Sequence, residues 1–144
     1  MTLHTIWQDP GLIDLLKQRH HEVQENVQKA WDEKNDLYIS DSGWLIMACI
    51  YEEPLPISNV TRQMGITRQA IHKFIKSLSE KGLIDVYDME SNKKEKCVAL
   101  TPFGKRCYIK RIDLKTQIED DIVRKLGDER IKTLKDILQS DWGI

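Results

Sequence analysis

The stretch from Pro54 to Gly82, PLPISNVTRQMGITRQAIHKFIKSLSEKG, constrains this chain most, because its periodicity fits two short helices joined by a tight turn. Ser58 is placed to cap the first helix, and Val60 and Met64 recur at the four-residue spacing of one helix face. Gly65 then breaks the helix, since glycine takes the left-handed conformation without a steric penalty. Thr67 caps the second helix, in which Ile71, Phe74, Ile75 and Leu78 fall on one face that must be buried, and Gly82 closes it. The opposite face carries Gln69, His72, Lys73 and Lys76, with Arg68 in the first turn. One side is oily and the other cationic and hydrogen-bonding, a surface suited to a groove lined with phosphates and base edges.

Helix pairs of this kind are common, and a basic helix face can be merely solvated, so charge has to be weighed. Between Thr61 and Lys81 stand Arg62, Arg68, Lys73, Lys76 and Lys81 against the single acid Glu80, in a chain of formal net charge −1. Affinity for a polyanion must therefore come from a local patch rather than from the molecule as a whole. At 144 residues, with 31% charged and 40% hydrophobic side chains, the chain reads as globular and long enough for one domain with a real core, or for a small domain extended by helices that pair with a partner. The apolar run from Trp44 to Tyr51 is too short to cross a bilayer, and the N-terminus has no signal-peptide pattern, so a cytoplasmic protein without a membrane partner is expected. Cys49, Cys97 and Cys107 form no CxxC pair and are odd in number, which fits a reducing compartment.

The segments around the helix pair complete a pattern. Asp9 and Pro10 open a long helix in which Leu12, Leu16, Val23, Val27, Ala30 and Trp31 form a stripe ending near Lys34. Ser40 or Ser42 opens a helix whose residues Trp44, Leu45, Met47, Ala48, Ile50 and Tyr51 are apolar nearly all round, which predicts burial. After Gly82, LIDVYDM alternates like a strand, ESNKKEK reads as a polar turn, and KCVAL returns as a second strand. A hairpin with a basic tip directly behind a basic helix is the layout of a winged helix. Thr101 and Pro102 then start a helix through Ile109, Ile112, Ile118 and Ile122 to Leu126, Gly127 stops it, and Asp128 opens a last helix with Ile131, Leu134, Ile137 and Leu138, with Trp142 near its end.

The expected fold is thus mainly α with a small β-hairpin wing: a winged helix-turn-helix domain over 37–101, flanked by a dimerisation helix over 1–36 and dimerisation helices over 102–144. The terminal stripes have too little core of their own, and a homodimer is the simplest cover for them. No histidine pair stands at metal-ligand spacing: His20 and His21 are adjacent, and His4 and His72 lie far apart in sequence, so neither metal nor cofactor is expected. No nucleophile with a positioned base and no phosphate loop is present, which speaks against an enzyme.

In order and in local residues the chain resembles the MarR family of bacterial winged-helix transcription regulators from about Pro10 onward. MGITRQAIHKFIKSLSEKGLI is similar to that family's LG(I/L)(S/T)xxxVxxxVxxLxxKGLI, and LTPFG matches its LTxxG after the second wing strand. The family's wing usually reads Asp-x-Arg, whereas here Asn92, Lys93 and Lys94 stand in those positions, which keeps the charge but loses the planar fork and its anionic brace. The resemblance implies a homodimer on a pseudo-palindromic operator, often a repressor, released by a small ligand that is frequently an aromatic acid.

On this reading Arg68, Gln69, His72 and Lys73 approach base edges, Arg62, Thr67 and Lys76 hold the phosphate backbone, and Lys93 and Lys94 make the wing contact. His20, Trp44, Met47 and Tyr51 are the candidate lining of an effector cleft, although Met and aromatic residues at helical spacing usually just pack. Two other readings stand beside it: a winged-helix module that binds protein, which would have no need of Lys73, Lys76 and Lys94, and a regulator that senses oxidants through a cysteine.

Overall fold

The computed structural model describes residues 9–89 and 92–144, and for 92–94 the backbone alone. Among the described residues there are six helices and a three-stranded sheet: α1 (Leu12–Lys34), α2 (Asp41–Cys49), β1 (Leu55–Pro56), α3 (Ile57–Met64), α4 (Arg68–Glu80), β2 (Ile84–Met89), β3 (Asn92–Leu100), α5 (Pro102–Leu126) and α6 (Asp128–Gln139). They form two compact units, one of Leu37–Ile112 and the other of Met1–Asp36 with Asp113–Ile144. α5 thus contributes residues to both.

In the unit Leu37–Ile112, the helices α2, α3 and α4 pack with one another and with an antiparallel sheet of order β1-β3-β2. Its core holds Ile39, Trp44, Ile46, Met47, Val60, Ile71, Ile75, Leu83, Ile84 and Val98, all buried. α2 starts at Ser40, whose hydroxyl accepts the Gly43 N–H at 3.1 Å. A Cβ at Gly43 would come within 3.1 Å of Ile39 and 3.2 Å of Leu78, so the glycine is what lets α2 lie so close to α4.

Three local expectations are corrected here. The long helix starts after Gly11 rather than at Asp9 and Pro10: Gly11 is still extended, and the Asp14 carboxylate reaches back to accept its N–H at 3.2 Å. Ser58 does not cap α3, because the helix already begins at Ile57 and the Ser58 hydroxyl instead bonds the Glu95 carboxylate on β3. The described part of the polar segment read as a turn is strand, since β3 runs from Asn92 and pairs with β2 in register Ile84↔Leu100 through Asp88↔Lys96, with a shift before the Met89↔Asn92 pair.

The third strand, β1, was not expected. It is two residues long and contains Pro56, pairing Leu55↔Val98 and Pro56↔Cys97 at the sheet edge, where a missing N–H costs no ladder bond.

In the unit of Met1–Asp36 with Asp113–Ile144, Gln18, Val27, Trp31, Leu114 and Ile131 are buried, and an ion pair of 2.5 Å joins Lys135 on α6 to Glu119 on α5. Many of its other apolar side chains are open: Leu12 and Ile13 on α1 are 64% and 81% exposed, and Ile137 and Leu138 on α6 are 52% and 50% exposed. Among the described residues no helix is long and apolar enough to cross a membrane.

Candidate nucleic-acid interface

The turn between α3 and α4 is set by Gly65, whose φ of 64° lies in the left-handed region and whose N–H returns to the Thr61 carbonyl at 3.0 Å. Two residues later Thr67, in extended conformation, accepts the Ala70 N–H through its hydroxyl at 3.1 Å and so starts α4. At the other end the Gly82 N–H bonds the Ser79 carbonyl and the Leu83 N–H bonds the Leu78 carbonyl, each at 3.0 Å, which is a Schellman closure. Both ends of the helix are therefore fixed by side chains or glycines that the sequence supplies locally.

Burial then orients the helix. Ile71, Ile75 and Leu78 are buried and Phe74 is half-buried, while Arg68, Gln69, His72, Lys73 and Lys76 are all exposed along the opposite face. Thr67 is exposed at the start of that face, where the free amides of the first turn add partial positive charge. Arg62, exposed on α3, donates to the Asn59 side chain at 2.5 Å, which steadies its guanidinium. Lys81 is not part of the open face: its ammonium donates to the Tyr38 carbonyl at 2.6 Å and lies 5.4 Å from the centre of the Tyr38 ring.

On the wing, the side chains of Lys93 and Lys94 lie outside the described residues, although both residues belong to β3. Farther along the strand, Lys96 forms an ion pair of 2.5 Å with Asp88, its cross-strand partner. Sequence reading missed this braced cation, because the two residues face each other only once the register of the hairpin is known. Both side chains are more than half exposed, so the pair contributes little to stability.

The residues considered for an effector cleft fall in different surroundings. Trp44 and Met47 are buried, Tyr51 is half-buried with its ring 4.8 Å from that of Tyr108, and His20 is exposed on α1, in the other compact unit. Around Trp44 and Tyr51 the fold brings residues that the sequence did not single out. The Arg111 guanidinium lies 4.6 Å from the Trp44 ring centre, with one nitrogen 4.0 Å from the Asp41 carboxylate. Its side chain is 15% exposed, and its buried Nη1 has no hydrogen-bond partner among the described residues. Burial draws its pKa below the usual guanidinium value, against the opposing pull of Asp41 and Tyr108. A helical period links Tyr108 and Arg111, but only the packing of α2 against α5 residues of the same unit reveals them as neighbours of Trp44 and Tyr51.

The thiols are quiet. Burial raises Cys49 and Cys107 above the ordinary thiol value of 9.0, more than the nearby Lys110 and Arg106 lower Cys107, and Cys97 is buried in the sheet. Raised in this way, the Cys49 and Cys107 thiols stay protonated at neutral pH and are poor nucleophiles. Among the described residues no group of three or more His, Cys, Asp or Glu side chains could hold a metal ion.

A glycine-turned helix pair with a polar, basic second helix, followed at once by an antiparallel hairpin, defines a winged helix-turn-helix protein. Over 111 residues, 75% of this chain and 73% of the relative's length, it is 30% identical to the HTH-type transcriptional regulator TcaR of Staphylococcus aureus (strain Newman). The chain belongs to the MarR family of transcription regulators, whose members are not enzymes. No known family profile matches it. The fold is that of the S. aureus MepR–DNA complex, at a TM-score of 0.74 and 16% identity over 90% of this chain and 95% of the other. It is likewise that of NadR in complex with 4-hydroxyphenylacetate, at a TM-score of 0.66 and 21% identity over 92% of each chain.

Proposed function

We propose that this protein is a homodimeric repressor that binds a pseudo-palindromic duplex through α4 and its wing, and is released by a small aromatic acid. The observation that carries the reading is the exposed row Arg68, Gln69, His72, Lys73 and Lys76, set on a helix whose other face is sunk in a closed core. In a major groove, Gln69 matches adenine and Arg68 matches guanine or a phosphate, with His72 and Lys73 one turn on. Arg62, Thr67 and Lys76 hold the backbone that flanks the groove, and Lys93 and Lys94 hold it from the wing. The DNA complex of MepR, a protein of the same fold, supports DNA as the partner.

The open apolar residues Leu12, Ile13, Ile137 and Leu138 support the dimer, because a second copy is the simplest cover for such stripes. A two-fold dimer offers two copies of α4 to half-sites about one helical turn, or about ten base pairs, apart.

For the effector, the NadR ligand supplies the chemical precedent, and the Trp44, Tyr51, Tyr108 and Arg111 group supplies aromatic walls with a cation short of one partner. A carboxylate would satisfy the Arg111 guanidinium while its ring lies among the aromatics. Met47 is buried on the same helix as Trp44. The effector must bind the DNA-incompetent form better to have any effect. Oxidant sensing is the weaker route to release, since the raised pKa values keep Cys49 and Cys107 as thiols.

A gel shift on the DNA upstream of the protein's own gene, at two salt concentrations and with or without 4-hydroxyphenylacetate and related acids, tests the reading. Salt-sensitive binding that the acid reverses is the expected result. Absence of binding to that DNA and to duplexes selected from a random library, at low salt, would refute it.

A further inference from the structure

The C-terminal end of α4 and the N-terminal end of α5 meet at one threonine. The Schellman closure of α4 uses the N–H groups of Gly82 and Leu83, and Thr101 takes the carbonyls of the same two residues. Its N–H donates to the Leu83 oxygen at 3.1 Å, and its hydroxyl donates to the Gly82 oxygen at 2.7 Å. That hydroxyl also accepts the Gly104 N–H at 2.9 Å, capping α5. A hydroxyl has one proton to give, so the Thr101 side chain is fully engaged as a donor across this joint.

Gly104 makes the joint close. A Cβ there would lie 2.0 Å from the Leu83 oxygen, so only glycine allows the first turn of α5 to sit against that carbonyl. Leu83 itself is fully buried, which holds the other side of the joint still. None of these groups belongs to the exposed row on α4, and α5 continues without a break past Ile112 to Leu126, into the second compact unit.

We infer that Thr101 is a positioning residue: by tying the end of α4 to the start of α5 it sets the direction of α4, and through it the half-site separation that the dimer accepts, without touching DNA. This rests on the dimeric DNA-binding reading above. A hydrogen-bonded joint of this kind specifies an angle, and an angle at each copy of α4 becomes a distance between the two.

The test uses the full-length protein and the duplex that it selects from a random library, with the half-sites moved together or apart by one or two base pairs. Each step is about 3.4 Å and about a tenth of a turn. The wild type and Thr101→Ser, which keeps the hydroxyl, are expected to lose about tenfold or more in affinity for a one-base-pair change. Thr101→Val is expected to bind all the spacings within about threefold of one another, while its affinity for an isolated half-site stays within about twofold of wild type.

A role in folding alone predicts something else for Thr101→Val: the same fold-loss at every spacing and on the half-site, which would overturn the inference. So would a wild-type spacing profile. If circular dichroism shows Thr101→Val melted at the assay temperature, Thr101→Ala replaces it with the same two outcomes, since it removes the hydroxyl without placing a methyl against the Gly82 carbonyl. A wild-type protein that selects no duplex overturns the DNA reading and this inference together, whereas a spacing preference retained without the hydroxyl overturns this inference alone.

Discussion

Helix α4 in one compact unit and the terminal helices α1 and α6 in the other cover their apolar residues to different degrees. In Leu37–Ile112 the amphipathic helix α4 finds its cover inside the chain: Ile71, Ile75 and Leu78 are buried, and what remains outside is polar and basic. In the other unit, Leu12, Ile13, Ile137 and Leu138 stay in the open on helices α1 and α6. A closed core leaves a free face to serve as a docking surface for a charged ligand, while an unclosed one asks for more protein. The proposed division of labour between reading DNA and assembling a dimer rests on where these apolar faces are covered.

The largest way to break this comparison is to open the closed unit. Gly104→Ala pushes a methyl into the Leu83 carbonyl, and we expect a loss of about 3 kcal/mol or more by urea unfolding. Gly127→Ala, between α5 and α6, meets nothing within 4 Å and suffers only from its φ of 93°, so about 1 kcal/mol is expected there. Equal costs at the two glycines would mean that the joint is looser than it looks.

Next in size, charging the open face with Ile137→Asp and Leu138→Asp should leave a folded monomer by analytical ultracentrifugation. Its affinity for a full operator should fall about a hundredfold, as paired binding is lost, with half-site affinity retained. A stable dimer in that variant would place the interface elsewhere.

On the docking face, Gln69→Ala should cost about 1 to 3 kcal/mol on the preferred sequence and change which sequences are selected. Lys76→Ala should weaken all sequences alike and lower the salt slope by about one. Identical behaviour of the two variants would remove the distinction between base and backbone contacts. Thr67→Ala, which deletes the cap of α4, should lower stability by about 1 kcal/mol in thermal melts.

The smallest expected effect is with pH. Burial raises Cys49 and Cys107 above their ordinary value, so as pH climbs past 9.0 the unfolded chain ionises before the native one. The contribution of these groups is therefore complete below that pH and is lost above it, and melting temperature should be level from about pH 7 to 8 and fall toward pH 10. A rise over that range would contradict the assigned burial. Blocking the thiols should leave DNA release by an aromatic acid unchanged.

Much of the helix pair was legible in the sequence. Gly65, Thr67, Gly82 and the apolar spacing of Ile71, Ile75 and Leu78 act through local backbone rules, and those rules hold wherever the segment is placed. The cap at Thr101 was visible for the same reason. What stayed hidden depends on partners distant in sequence. Ser58 looked like a cap but bonds Glu95, thirty-seven residues away. The strand β1 has too few residues for any period, and the Asp88–Lys96 pair needs the hairpin register. Arg111 becomes a candidate ligand group only because Trp44 and Asp41 come to lie beside it.

By itself, then, the order of residues determined the helices, both ends of α4, and which face of α4 is basic, because period, caps and glycine conformations are properties of short stretches of chain. Only the tertiary structure decided which of those faces are covered, which polar groups are already engaged, and how the end of α4 is held against the start of α5. Those outcomes depend on contacts between residues far apart in sequence, where burial and hydrogen-bond geometry are settled jointly rather than one segment at a time.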